Sequence, residues 1–165
     1  MDSHLTAQLN QKAFDLGVHT FGVADASRYV EAPEGHKPSD ILDNATCALS
    51  IGIAQPKTVL LSAMPTQYTR NIFTGAAQLD QIASRLALWL EEREFQAIPI
   101  SSRATYMDAL SNVFRGDLSH KHTAMLSGLG EIGINSLFIH PRYGNRLHLA
   151  SIVTDAPLVP GEPFN

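Results

Sequence analysis

The chain has 165 residues, 44% of them hydrophobic, with a formal net charge of −4 and a single cysteine. That length suits one domain with a core of ordinary size, and the apolar content argues against disorder. The acidic balance, without any cluster of Lys or Arg, argues against a nucleic-acid footprint, and no apolar stretch approaches the roughly 18 residues of a membrane span.

Cys47 alone makes neither an intramolecular disulfide nor a multi-cysteine metal cluster within this chain. The start MDSHLTAQLNQK shows no basic region followed by an apolar run, so no signal peptide is expected and the cytoplasm is the default compartment. Charged residues make up 17%, below the roughly 25% of average soluble domains. Either the surface is covered by a partner, a cofactor or a further segment, or it is simply compact and uncharged.

Leu5, Leu9, Ala13 and Leu16 recur at three- and four-residue spacing, which predicts a first helix from about Ser3 to Leu16, closed by Gly17. VHTFGVADA, from Val18, alternates as a strand does, and EAPEGHKPSD reads as a loop whose Pro38 opens a short helix. TCALSIGIA (Thr46–Ala54) is an apolar run of buried-strand length. From about Thr74 to Glu94 the apolar residues Leu79, Ile82, Ala83, Leu86, Trp89 and Leu90 form one stripe, predicting the clearest helix. FQAIPIS returns as a strand, with Pro99 favouring an edge or terminal position.

SSRATYMDALSNVFRGD reads as irregular or weakly helical, and SHKHTAMLSG as a helix capped by Ser119 and closed by Gly128. NSLFIH and RLHLASIVTD are strand-like runs joined by the turn-rich PRYGN. APLVPGEPFN, with three prolines and a glycine, reads as a linker or extended arm. Helices and strands mix without regular βαβ alternation, which favours an α+β fold.

Gly128, Gly130 and Gly133 spell G-x-G-x-x-G, the dinucleotide fingerprint. In that motif a strand precedes the glycines and the following helix aims its N-terminus at the pyrophosphate. Here the predicted order is helix, then strand, so the negative end of the helix dipole meets the loop. The acidic residue expected about 20 positions on falls at Ser151–Val153, and the nearby Asp155 lies in a different context. The glycines read instead as a helix cap and a passage where backbone approaches backbone, or a large flat ligand, closely.

His120 and His122 diverge by about 200° on a helix, so they do not share a metal there, and the other histidines form no ligand spacing. No metal site is predicted. One of the pair is expected to face a cleft and the other to satisfy the helix end. Ser119, His120 and Asp117 are adjacent in sequence, an arrangement that seldom builds a catalytic triad. Asp108, Asp117, Glu131 and Asp155 are the acidic candidates for proton transfer, each with a cap or solvated-loop alternative.

The run SHKHTAMLSGLGEIGINSLFIHPRYGNRLHLASIVTDAPL (Ser119–Leu158) resembles a segment of epoxyqueuosine reductases and their relatives. That segment reads approximately A-G-L-G-x-I-G-K-N, a strand, P-x-Y-G, and a strand ending T-D-x-P-L. The S-H-K-H start is closer to the branch labelled iron-sulfur or ferredoxin-like proteins, and reductive dehalogenases share the same core. The first helix and Gly22–Ala26 are compatible with the family's start.

The resemblance implies an α+β core of the flavin-nitroreductase or cobalamin-reductase type, a mixed sheet with flanking helices, over residues 1–156. It implies a corrinoid (cobalamin) in a cavity near these loops. On it, Gly128, Gly130 and Gly133 form the close-approach loop and Tyr143 and Gly144 the inter-strand turn. Thr154 and Asp155 end a strand beside the cavity. Ser119 and His122 join the cofactor-binding set, and Asp117 and His120 are the catalytic candidates. Two departures stand out. The family's lysine after the third glycine is Ile134 here, and the cysteine-rich ferredoxin-like module that follows T-D-x-P-L is not represented before Asn165. Residues 157–165 are therefore expected to lead to an iron–sulfur module outside this chain, or a separate electron-donor protein supplies the electrons.

Three functions follow: the corrinoid-binding core of an iron–sulfur-dependent reductase acting on a small molecule; an FMN-dependent reductase, often a homodimer; or a non-catalytic cofactor carrier.

Overall fold

The computed structural model describes residues 1–62, 64–103 and 116–164. Helix α1 (Ser3–Asp15) starts where the Asp2 carboxylate accepts the Leu5 amide at 2.9 Å, and it buries Leu5, Leu9 and Ala13. It ends at Gly17, whose φ of 100° suits a residue without a Cβ. Strand β1 (Thr20–Asp25) follows, and the Asp25 carboxylate then caps a single 3₁₀ turn, Ala26–Arg28, by accepting from the Ser27 hydroxyl and amide. A loop carrying Tyr29 to His36 reaches the short helix α2 (Pro38–Ile41) and then β2 (Cys47–Ala54).

Helix α3 (Lys57–Leu61), which no sequence signal announced, precedes the 27-residue α4 (Pro65–Glu91). The sequence placed the start of α4 nine residues late. Proline at the first helical position starts the helix at 65, but its buried residues begin only at Gly75. The earlier turns overhang the sheet and carry no burial period to detect. Strand β3 (Ala97–Ile100) and helix α5 (His120–Leu126) come next. A small hairpin, β4 (Glu131–Ile132) and β5 (Phe138–Ile139), and the long β6 (Leu147–Thr154) complete the order. NSLFIH thus contracts to a two-residue strand. Most of SSRATYMDALSNVFRGD lies outside the described residues.

The main sheet has the order β1-β2-β6-β3, and every pairing is antiparallel. Pro99 sits on β3, the edge strand, where its missing N–H costs no ladder bond. Alternation along the strands divides the residues between two faces. Val23, Leu49, Ile51, Ala150 and Ile152 pack with α1 and α4 into the principal core. Ala24, Ala48 and Val153 face the other way, toward Tyr29, Leu118 and Leu126. That second face is built from small side chains. A Cβ on Gly22 would stand 2.6 Å from the Ser127 hydroxyl, so α5 lies almost on the strand backbone.

The last described residues run back over the core. The Asp2 amide bonds the Pro157 carbonyl, Leu158 is buried, and the Gly161 amide bonds the Val23 carbonyl at 2.9 Å. Among the described residues no helix is long and apolar enough to cross a membrane.

Candidate functional site

A cavity of about 570 Å³ opens on the second face of the sheet. Its walls are the loop from Arg28 to His36, the end of β3 with Ser101 and Arg103, the segment Gly116–Ser119, and the exposed side of α5. Tyr29, Ile100 and Leu118 are buried against the sheet and supply an apolar floor, while Met125 and Leu126 add thioether and methyl groups from α5. The lining also includes the charged and polar residues Arg28, Glu31, His36, Arg103, Asp117 and Lys121; Arg28 donates to the Leu126 and Gly161 carbonyls and Lys121 to the Ser136 carbonyl.

Four of the sequence-selected residues meet here: Asp117, Ser119, His120 and His122. The Ser119 hydroxyl accepts the His122 amide as the cap of α5, and it shares a hydrogen bond of 2.7 Å with His122 Nδ1. Tyr29 donates its hydroxyl to Thr123 Oγ1 at 2.8 Å, and Thr123 donates to the Ser119 carbonyl at 3.1 Å. Burial pushes the Tyr29 phenol well above its ordinary value, so it stays a neutral donor.

His120 is tied on both sides. Its Nε2 donates to the Ser101 carbonyl at 2.8 Å, and its Nδ1 accepts from the Ser151 hydroxyl of β6 at 2.8 Å. Asp80 of α4 completes the link by accepting the Ser102 amide at 2.7 Å and the Ser101 hydroxyl at 3.4 Å. With both ring nitrogens engaged by the protein, His120 holds the wall at Ser101 in place; it has no nitrogen spare for a substrate proton. Burial lowers its pKa, against smaller opposing effects of the Ser101 bond and the Asp80 charge.

The other selected residues lie away from the cavity. Gly128 (φ 77°) abuts the tail, where a Cβ would stand 2.0 Å from the Glu162 carbonyl oxygen. Gly130 is equally close to the Ile139 carbonyl of β5, and Gly133 faces the Ile139 side chain. Tyr143 packs between His19 and His140, Gly144 (φ 60°) closes a turn, and Thr154 donates to the Gln96 carbonyl at 2.6 Å. The glycines serve backbone-to-backbone packing, and Thr154 ends β6 on the far side from α5. Asp155 is structural too, accepting from the Gln96 amide and Asn44. Asp108 lies outside the described residues. Among the described residues no cluster of His, Cys, Asp or Glu is arranged to hold a metal ion.

Sequence reading missed Arg28, Tyr29 and His36 of the cavity wall, and Ser101, Ser151 and Asp80 behind it. EAPEGHKPSD carried only turn signals, and contacts that close over 80 residues leave no local mark. Ser151, a hydroxyl inside an apolar strand run, was the one available hint.

His140 and His148 are likewise held below the ordinary value, in each case by burial first and then by a neighbouring arginine. Near and below the unfolded value of about 6.5, the unfolded chain therefore binds more protons than the folded one, and stability rises with pH. The contribution of these three histidines is complete above that value and is lost as pH falls toward their lowered folded values. The urea midpoint of unfolding is expected to drop between pH 7.5 and 5.5; a midpoint that rises over that interval would contradict the assignment.

No family model matches the chain. In sequence it is similar to the epoxyqueuosine reductase of Lactococcus garvieae (strain Lg2), with 25% identity over an alignment of 182 positions covering 98% of this chain and 51% of that protein. In fold it is similar to the epoxyqueuosine reductase of Bacillus subtilis (18% identity, TM-score 0.71, 98% of this chain and 48% of that one). An epoxyqueuosine reductase solved with an epoxyqueuosine-modified tRNA-Tyr stem loop gives 17% identity and a TM-score of 0.67 over the same shares. A catabolic reductive dehalogenase bound to 3-bromo-4-hydroxybenzoic acid gives 15% identity and a TM-score of 0.71, over 99% of this chain and 21% of that one. The chain thus spans about half the length of the epoxyqueuosine reductases it matches. The chain is thus similar in sequence to an epoxyqueuosine reductase, and its fold is the α+β core also seen in epoxyqueuosine reductases and reductive dehalogenases.

Proposed function

We propose that this chain is the corrinoid-binding core of a reductase acting on a small molecule, with electrons delivered by an iron–sulfur module or a separate donor protein. The observation that carries the reading is the cavity, about 570 Å³ with an apolar floor and polar groups in its lining. It opens on a core whose fold neighbours include a dehalogenase described as B12-dependent. Apolar-lined cavities of this size with a few polar groups are the usual form of small-molecule and cofactor sites, and this one would take part of a corrinoid rather than enclose it.

The donor set fits a corrinoid and does not fit a cluster. A corrinoid presents broad apolar faces and an edge of amide groups. Tyr29, Ile100, Leu118 and Met125 suit the faces, and Ser119, His122, Lys121 and the backbone of 116–119 suit the edge. An iron–sulfur cluster is held by several thiolates. The one cysteine, Cys47, is buried on the opposite sheet face, and burial pushes its thiol up to about 11. The cluster belongs to a module or partner outside this chain.

When bound, the corrinoid supplies a cobalt centre that takes up and passes on electrons. The protein's own residues do the rest. The Tyr29 and Leu118 floor excludes water, the Asp80–Ser101–His120–Ser151 chain fixes one wall, and the Asp117 carboxyl in the lining is the group assigned to proton transfer. Anaerobic titration of the protein with cob(II)alamin should shift its visible spectrum and saturate at one equivalent. A spectrum that does not change, or saturable binding of FMN in its place, would contradict the proposal.

A further inference from the structure

One side chain of the cavity lining ties two distant segments of its wall together. His36 projects from the loop after Tyr29, and its Nδ1 lies 3.1 Å from the Gly116 carbonyl oxygen and 3.4 Å from that of Asp117. A carbonyl only accepts, so Nδ1 carries the hydrogen. All three residues line the cavity, and 80 positions separate His36 from Gly116.

The two ends of this bridge differ in how they are held. The His36 loop is anchored at its start by the Tyr29–Thr123 bond and at its end by Pro38, which is fully buried at the head of α2. Gly116 and Asp117 are exposed, and the next firm anchors on their side are buried Leu118 and the Ser119 cap. A fixed loop therefore reaches across to the segment that carries the Asp117 carboxylate. A proton donor acts only within hydrogen-bond reach of its target, so small displacements of that segment matter.

We infer that His36 is a positioning residue: its Nδ1–H holds Gly116 and Asp117 in the cavity wall and thereby sets the Asp117 carboxylate against whatever the cavity binds. This inference rests on the corrinoid reading for its ligand, but the clasp can be measured without one. Because the acceptor is a carbonyl, neutral and protonated imidazole both keep the bond, so it is a fixed support and not a pH switch.

Two measurements test it. In the ¹⁵N-histidine-labelled protein at alkaline pH, the His36 ring should be the Nδ1–H tautomer; an Nε2–H tautomer overturns the clasp, whatever the cavity binds. For cob(II)alamin, His36→Leu should weaken Kd about tenfold, the loss typical of removing a supporting partner, while His36→Asn, whose amide replaces the Nδ1 donor, restores most of it. Equal affinity in both variants and the wild type overturns the positioning role. A wild-type protein that binds no corrinoid overturns the functional reading, and the tautomer then judges the clasp by itself.

Discussion

Gly128→Ala is expected to destabilise the protein by about 3 kcal/mol, combining left-handed strain with overpacking. At a φ of 77° an L side chain is strained even in open space, and here the added carbon would meet the Glu162 carbonyl oxygen at 2.0 Å. The obstacle is backbone, so no rotamer change relieves it, and the tail would have to leave its place against α5. Gly133 is the internal control. A Cβ there meets the end of the Ile139 side chain at 2.8 Å, and Ile139 is partly exposed and free to turn. Gly133→Ala should cost less than about 1 kcal/mol, as tolerated small additions do. Urea unfolding of the two variants checks the contrast. Equal losses would contradict the contrast between a backbone and a side-chain obstacle.

The second large effect is expected at His120. His120→Ala removes the bonds to Ser101 and Ser151 and leaves the Ser151 hydroxyl sealed in the sheet beside Ser50, which already has no hydrogen-bond partner among the described residues. Stranding a buried hydroxyl and losing the packing of the ring together cost about 2–3 kcal/mol. Removing Ser151 as well takes away the stranded group, so His120→Ala/Ser151→Ala should be less destabilised than the sum of the single variants. Strict additivity would show that the two side chains do not interact. Corrinoid affinity should fall with His120→Ala as well, because Ser101 and Arg103 lose their fixed position in the wall.

Much of this architecture was legible in the residues. Gly17, Pro99, Ser119 and Gly128 each mark an element boundary or an edge by local stereochemistry, and each acts in the structure as its residue type requires. The stripe from Leu79 to Leu90 announced α4 because that half packs on the sheet. The part of the site on α5 was visible for the same reason: Ser119, His120 and His122 sit in one short capped helix. The rest was hidden because the cavity is assembled from distant segments. Nothing in EAPEGHKPSD shows that His36 will meet Gly116, and nothing around Asp80 shows that it will support Ser101 and Ser102. Resemblance had the opposite bias. It drew Gly130, Tyr143, Gly144 and Thr154 toward the cofactor because they are regular features of a family pattern, whereas their contacts here are with strand ends, turns and one another's neighbours.

The position of a bound corrinoid is the decisive observable. A crystal structure of the protein grown with cob(II)alamin should show the macrocycle against Tyr29, Leu118 and Met125, with its edge beside Ser119, His122 and Asp117. Density for the corrinoid against the glycine hairpin or the overhanging turns of α4, with this cavity filled only by solvent, would contradict it.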